Sequence, residues 1–124
     1  MGSMYSFDAR DGELVVRRRG GWGEFYCGRP EGAPVVEAIQ VPDSDECLVL
    51  YDYTAYSGTK ARNLVRLTVS LQVVWRAELP SSSGEDAFVG VELSDRGLEA
   101  NTWSCYRVRI DLETGRLVES VFVK

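Results

Sequence analysis

The chain has 124 residues, 44% of them apolar and 27% charged, with a formal net charge of −5 and no histidine. This is the composition of a folded globular chain rather than a disordered one. The length suits one domain able to bury roughly two-thirds of its unfolded surface. Lack of histidine excludes Ser-His-Asp and Cys-His nucleophiles and histidine metal sites. No apolar run approaches the ~18 residues of a membrane span, and no basic-then-apolar leader is seen, so a cytoplasmic chain is expected.

Taken in chain order, Met1-Gly2-Ser3 comes first. Met-Gly-x-x-x-Ser formally matches a myristoylation signal, with Ser6 in place. Gly-Ser-Met is also what a cloning vector leaves before a native start. On that reading residues 1–3 are a cloning remnant and the domain runs from 4 to 124. From there period two dominates, the signature of half-buried strands. The alternation predicts strands at Tyr5–Asp8, Glu13–Arg18, Glu24–Cys27, Val35–Val41, Cys47–Tyr53 and Asn63–Thr68. It continues at Gln72–Leu79, Ala87–Leu93, Leu98–Asn101, Tyr106–Asp111 and Arg116–Val123. Turn signals separate them, among them Asp11-Gly12, Pro42 to Asp45, Ser57-Gly58, Ser81 to Gly84, Asp95 to Gly97 and Thr114-Gly115. The one weak helical pattern, Ala33 to Ile39, reads equally well as a strand. The expectation is an all-β domain, an antiparallel meander of ten or eleven short strands. Sandwich, half-open barrel and propeller-blade-like hairpins stay open, because strand order is not written in the pattern.

One unit recurs. "SFDARDGELVV" (Ser6 to Val16) superposes without a gap on "RIDLETGRLVE" (Arg109 to Glu119), matching Asp8 with Asp111 and Gly12 with Gly115. A looser copy, "VRLTVSLQVVW" (Val65 to Trp75), lacks the glycine. An Asp closing a strand accepts hydrogen bonds from turn N–H groups, and a Gly near the end supplies positive φ. These residues therefore read as turn chemistry, and the two turns are expected to be equivalent.

"NLVRLTVSLQVVWRAELP" (Asn63 to Pro80) and "NTWSCYRVRIDLETGRLVESVFVK" (Asn101 to Lys124) resemble stretches of small uncharacterised bacterial proteins. They are also similar to blade hairpins of quinoprotein-type β-propellers, except that Val69-Ser70-Leu71 stands where a Gly-containing turn is usual. The resemblance implies a bacterial cytosolic protein of unassigned role. It implies no cofactor, because a propeller hub needs more blades than this chain can supply.

The remaining features are weighed by their chemistry. Cys27, Cys47 and Cys105 are widely spaced and contain no CxxC pair, which favours reduced thiols over a zinc or redox site. The spacing also leaves room for a Cys47–Cys105 or Cys27–Cys105 disulfide. Arg17-Arg18-Arg19 is too small a basic run for nucleic acid in a chain of pI 4.8. "GGWGEFYCG" (Gly20 to Gly28) has glycines but no Gly-Lys-Ser/Thr, so it is not a P-loop. Asp43-Ser44-Asp45-Glu46 offers oxygen ligands but lacks the length of a calcium loop. Trp75 and Trp103 are expected in the core. Tyr51 and Tyr53 are expected on one face with Val49.

Charge is the feature that bears on function. Of the 19 acidic residues, six (Glu31, Glu37, Asp43, Asp45, Glu46, Asp52) lie between Pro30 and Thr59, which holds no Lys or Arg. The remaining 13 face 14 basic residues. Segregated charge steers a partner of opposite sign. The expectation is a non-catalytic protein-binding domain capturing a basic, toxin-like protein, as an immunity protein does. Its contact residues would be Asp43, Asp45, Glu46, Tyr51, Asp52, Tyr53 and Tyr56. Nucleic acid, membrane, metal and cofactor are not expected. Two alternatives are a small carboxylate hydrolase using Glu24 or Asp45/Glu46, and a homo-oligomeric scaffold module joined at a strand edge.

Overall fold

A computed structural model describes residues 4–21, 25–56, 62–80 and 86–123. It contains eleven strands: β1 (Tyr5–Arg10), β2 (Glu13–Arg18), β3 (Tyr26–Gly28), β4 (Val35–Gln40), β5 (Glu46–Tyr51), β6 (Leu64–Thr68), β7 (Val73–Arg76), β8 (Phe88–Ser94), β9 (Gly97–Thr102), β10 (Tyr106–Ile110) and β11 (Leu117–Phe122). They form three antiparallel meander sheets, β1-β2-β3, β4-β5-β6-β7 and β8-β9-β10-β11, none closed into a barrel. Each predicted strand is present within a few residues of its expected ends. The described residues form no helix, so none is long and apolar enough to cross a membrane.

The sheets stack, and the middle one is covered on both faces. Cys47, Val49, Tyr51, Val65 and Leu67 point one way and pack with Leu14, Val16 and Phe7 of the first sheet. Leu48, Leu50, Leu64 and Trp75 point the other way and pack with Phe88, Leu98, Val108 and Ile110 of the third. Two-sided burial explains the unbroken apolar run Cys47 to Tyr51 in β5, where a one-sided strand would alternate. Beside the middle sheet, β4 lies along β1. Val35 N–H donates to the Gly12 carbonyl at one end (2.8 Å), and Gln40 Nε2 donates to the Tyr5 carbonyl at the other (2.9 Å).

Two polar joints lock the middle sheet to the third. The Asn63 side chain is fully buried, and its Nδ2 donates to the Tyr51 and Phe88 carbonyls while its Oδ1 accepts from Phe88 N–H, all within 2.8–2.9 Å. At the second joint, the Leu112 carbonyl accepts from Arg66 Nη1 and from Trp75 Nε1, each at 2.8 Å. Gly115 closes that turn with φ +76°, and a Cβ there would sit 2.6 Å from the Trp75 ring. The Asn-Leu-Val-Arg, Val-Val-Trp and Asp-x-x-Thr-Gly stretches that carried the family resemblance therefore supply these two joints, Asn63 the first and Arg66, Trp75 and the Leu112–Gly115 turn the second.

The two glycine turns are not equivalent. β1 and β2 meet through the two-residue loop Asp11-Gly12, with Arg10 opposite Glu13. Both loop residues have positive φ (53° and 78°), as a type I′ turn requires. Asp8 lies inside the strand opposite Val15, and its Oδ1 accepts from Ala9 N–H. Asp111, in contrast, is at the turn itself. Its Oδ1 accepts from Glu113 N–H (2.8 Å), and its carbonyl accepts from Gly115 N–H (2.7 Å). The same spacing serves two loop lengths because β10 and β11 shift register between Arg109 and Ile110. In the third copy Leu71 takes the left-handed conformation (φ 69°) without a glycine.

One further expectation is corrected. Trp103 is 61% exposed, because it lies in the Trp103-Ser104-Cys105 turn and not in a strand. The three cysteines form no disulfide, in line with the preferred reading of reduced thiols; Cys47 is buried, while Cys27 and Cys105 are exposed. Burial, aided by the Glu46 charge, pushes the Cys47 thiol up to about 12, so it is an unreactive core residue. Trp22 and Glu24, the Ser57-Gly58 turn and the Ser81 to Gly84 turn lie outside the described residues.

The Gly115 seat is testable against a second glycine. Gly32 also has positive φ (+86°), but nothing lies within 4 Å of a Cβ there. Gly32→Ala should cost only the left-handed penalty, about 1–2 kcal/mol. Gly115→Ala should cost that plus overpacking, about 2–5 kcal/mol in all. Urea titration of the two variants measures the difference; equal losses would show that Trp75 yields freely.

Candidate functional site

The acidic segment begins with a turn that its own residues build. Between β4 and β5, Val41 N–H donates to the Glu46 carbonyl, and Ser44 N–H donates to the Val41 carbonyl. Ser44 Oγ accepts from Glu46 N–H at 3.0 Å. Asp43 stands at the tip with φ 57°, a left-handed conformation that Asp tolerates better than most residues, and it is exposed. Asp45 Oδ1 accepts from Met4 N–H (2.8 Å), fastening the turn to the start of β1. Glu46 turns the other way and pairs with Arg66 Nε at 2.6 Å. Asp45 and Glu46 thus serve different partners.

The tyrosines lie at the far end of β5. The six-residue strand separates them from the acidic turn by roughly 17–20 Å. Tyr51 ends the strand inside the core, 1% exposed. The alternation stops there, because Asp52 Oδ1 accepts from Thr54 N–H and Oγ1 and turns the chain. Those bonds hold the Asp52 carboxyl below its ordinary value. Tyr53 therefore leaves the Val49 face and is 39% exposed. Tyr56 returns to the core and stacks on Tyr51, with ring centroids 5.3 Å apart and planes 11° from parallel. Of the seven expected contact residues, Asp43 and Tyr53 are surface groups at opposite ends of one strand. Tyr51 and Tyr56 hold the fold.

A cluster not visible in the sequence lies beside these rings. Glu31 Oε1 accepts from Tyr56 Oη (2.7 Å) and from Arg76 Nη1 (2.8 Å), and Arg76 also donates to Tyr56 Oη. Arg62 meanwhile donates to the Arg76 and Ala77 carbonyls. Burial pushes the Glu31 carboxyl up, but the bonds from Arg76 and Tyr56 and the Arg76 charge outweigh it, leaving it below the ordinary value. The Arg76 guanidinium is raised, chiefly by its bond to Glu31. Burial and the Glu31 bond push Tyr56 up to about 12. Tyr51 is raised further, first by burial and then by Glu31. A clamped carboxylate and two firmly protonated phenols are far from the near-neutral values that proton transfer favours. No signal short of the fold could have found this cluster, since Glu31 and Arg76 are 45 positions apart.

Other groups of chemical interest are structural. Asp86 is buried, and its carboxylate accepts from Ala87 N–H, Ser104 N–H and Ser104 Oγ, closing the β9–β10 turn. Arg17 is half-buried, and Arg18 and Arg19 are exposed at the end of β2. Among the described residues no three Cys, Asp or Glu side chains gather as metal ligands would.

Two outcomes follow for this cluster. The Tyr51 hydroxyl is buried with no hydrogen-bond partner among the described residues. Tyr51→Phe removes an unsatisfied group and should be neutral or stabilising by up to about 1–3 kcal/mol; a clear loss in thermal unfolding would mean the hydroxyl has a partner. Glu31 has a folded value below its unfolded one, so its contribution is present above the ordinary carboxylate range, about pH 4.3, and is lost as pH falls through the folded value. Glu31→Gln should therefore destabilise at neutral pH and converge with the parent chain in strong acid, as read from urea titrations across pH.

Residues 34–122 match a family described as a domain of unknown function, DUF7957. Neither a curated protein nor a solved structure matches the chain. The matched region opens beside β4 and ends in β11, so it takes in the whole middle and third sheets and the joints between them. With that match covering most of its length, the chain belongs to the DUF7957 family.

Proposed function

We propose that the chain is a non-catalytic protein-binding domain that captures a partner with a basic surface. The observation that carries this reading is the Pro42–Asp45 turn, which projects Asp43 from a chain of net charge −5. The geometry narrows the contact. Glu31 and Glu46 are already paired with Arg76 and Arg66, so the contact centres on the Pro42–Asp45 turn and its exposed tip. Asp43 leads the contact, with Asp45 behind it at the base of the same turn. Asp52 and Tyr53, a strand length away, belong to a separate patch. An immunity-type role in a bacterial cytoplasm fits this arrangement, with carboxylates covering a toxin's basic cleft as phosphates would. Such rim charges act mainly on association rate and specificity.

Against the hydrolase alternative stands the divergence of Asp45 and Glu46, together with the low value of Glu31. A homo-oligomeric role is favoured by a separate observation, the uncovered edge of β11.

The test is capture from the native host with a variant that spares the fold. Asp43→Lys/Asp45→Asn reverses the tip charge and keeps an oxygen acceptor for Met4 N–H. Glu46 is left alone, because removing it would strand Arg66. The variant should lose the partner, and the parent complex should weaken several-fold once added salt brings the Debye length below about 8 Å. Equal recovery of the same partner by both proteins would sink the reading.

A further inference from the structure

The three sheets have six edge strands; β1 and β4 lie along each other, and the other four are not equally protected. β3 has three residues and β7 four, too short to template much pairing. At β8, the Phe88 N–H and carbonyl are taken by Asn63. β11 is different. It has six residues, Leu-Val-Glu-Ser-Val-Phe, with no Pro or Lys and a single charge; its bulge lies near the start, at Val118, and Glu119 to Phe122 pair with β10 in regular register. Natural edges usually carry such protection. Its large side chains are exposed, Val118 at 60%, Val121 at 52% and Phe122 at 59%.

The backbone direction on this edge is set by one bond. Val123 N–H donates to the Cys105 carbonyl, toward β10. Groups two residues apart point the same way along a strand, so Val121 and Glu119 also face β10. The N–H and carbonyl groups of Ser120 and Phe122 then face outward, where they make no hydrogen bond among the described residues.

We infer that β11 pairs antiparallel with β11 of a second copy of this chain, about a twofold axis at Ser120. Three observations select that occupant and that register. The outward backbone groups of Ser120 meet those of its own symmetry mate, giving reciprocal bonds at the axis. Phe122 comes toward Val118, the bulge residue, of the partner copy, so two exposed apolar side chains of the strand cover each other. Glu119 comes opposite Val121 of the partner copy, whereas an axis one residue earlier would set Glu119 against itself, a like-charge pair that destabilises. Arg109, 3.9 Å from Glu119, supplies the opposite charge on that face within each copy. The result is a continuous sheet of eight strands built from two four-stranded sheets, with isologous contacts closing the assembly as a dimer. This inference goes beyond the capture reading and uses a different sheet. The Asp43→Lys/Asp45→Asn variant leaves β11 untouched, so either idea can fail alone.

Sedimentation equilibrium of the parent chain tests it. The expected result is a monomer–dimer equilibrium in the micromolar to submillimolar range, since strand addition alone makes a small interface. Ser120→Pro removes an outward donor without touching the bonds to β10, and Val118→Lys places a charge near Phe122. Each should weaken dimerisation by at least about tenfold while the monomer keeps its thermal transition. If Ser120→Pro fails to fold, Val118→Lys decides. Register is read by mild oxidation in a Cys27→Ser/Cys105→Ser background. Ser120→Cys should cross-link to its symmetry mate, because paired residues there lie about 5.5 Å apart at Cα, within disulfide range. Val121→Cys should not. A parent chain that stays monomeric throughout overturns the inference. So does a dimer indifferent to both variants, cross-linking through Val121→Cys instead, or a monomer whose β11 is occupied by a different protein.

Discussion

The Leu112 carbonyl, shared by Arg66 and Trp75, is the contact on which the rest of this structure turns. A sheet buried on both faces has no solvent side to accept a misplaced polar group, so whatever polar atoms lie between layers must be matched. Arg66 is buried between the middle and third sheets, and its guanidinium has two fates there, Glu46 and Leu112. The turn that offers Leu112 can approach only because Gly115 leaves room for the Trp75 ring. One glycine, one indole, one guanidinium and one carbonyl therefore set the distance and register between two layers. Asn63 does the same at the start of β8.

That demand for matched polar groups also governs the charge distribution. Along the sequence, acidic residues collect between Pro30 and Thr59 as if to make an acidic face. Folding sends two of them inward. Glu31 meets Arg76 and Tyr56, and Glu46 meets Arg66. A partly buried carboxylate without its cation would be costly, so these pairs are retained for the cost of separating them more than for any net gain. What is left outside is smaller and more local, a turn tip at Asp43. The outer face of the third sheet follows the same logic near solvent. Arg107 reaches both Glu92 and Glu99, separating two carboxylates that the register sets opposite each other.

Functional surface in this fold thus lies in what the layers do not need. The middle sheet spends its side chains on its neighbours and offers only its turns. The third sheet is covered on one face, charged on the other, and open along β11. The acidic turn and the apolar edge, on which the two proposed contacts rest, therefore lie on different sheets.

The sequence by itself determined the strands, because period-two alternation and turn residues act over a few positions and need no tertiary partner. It also located the glycine turns and the absence of histidine chemistry. Local pattern misled where an element ended: Tyr53 was assigned to the Val49 face, but Asp52 turns the chain one residue earlier, and Trp103 proved to be in a turn. Equal Asp-to-Gly spacing likewise concealed two loop lengths, since a bulge in β11 is a cross-strand property. What only the tertiary structure decided was pairing at long range. Glu31 with Arg76, Arg66 with Leu112 and Trp75 against Gly115 join positions separated by 45, 46 and 40 residues. Such pairs depend on which faces the stacked sheets present to each other, and alternation along a strand says that a face exists without saying what will cover it.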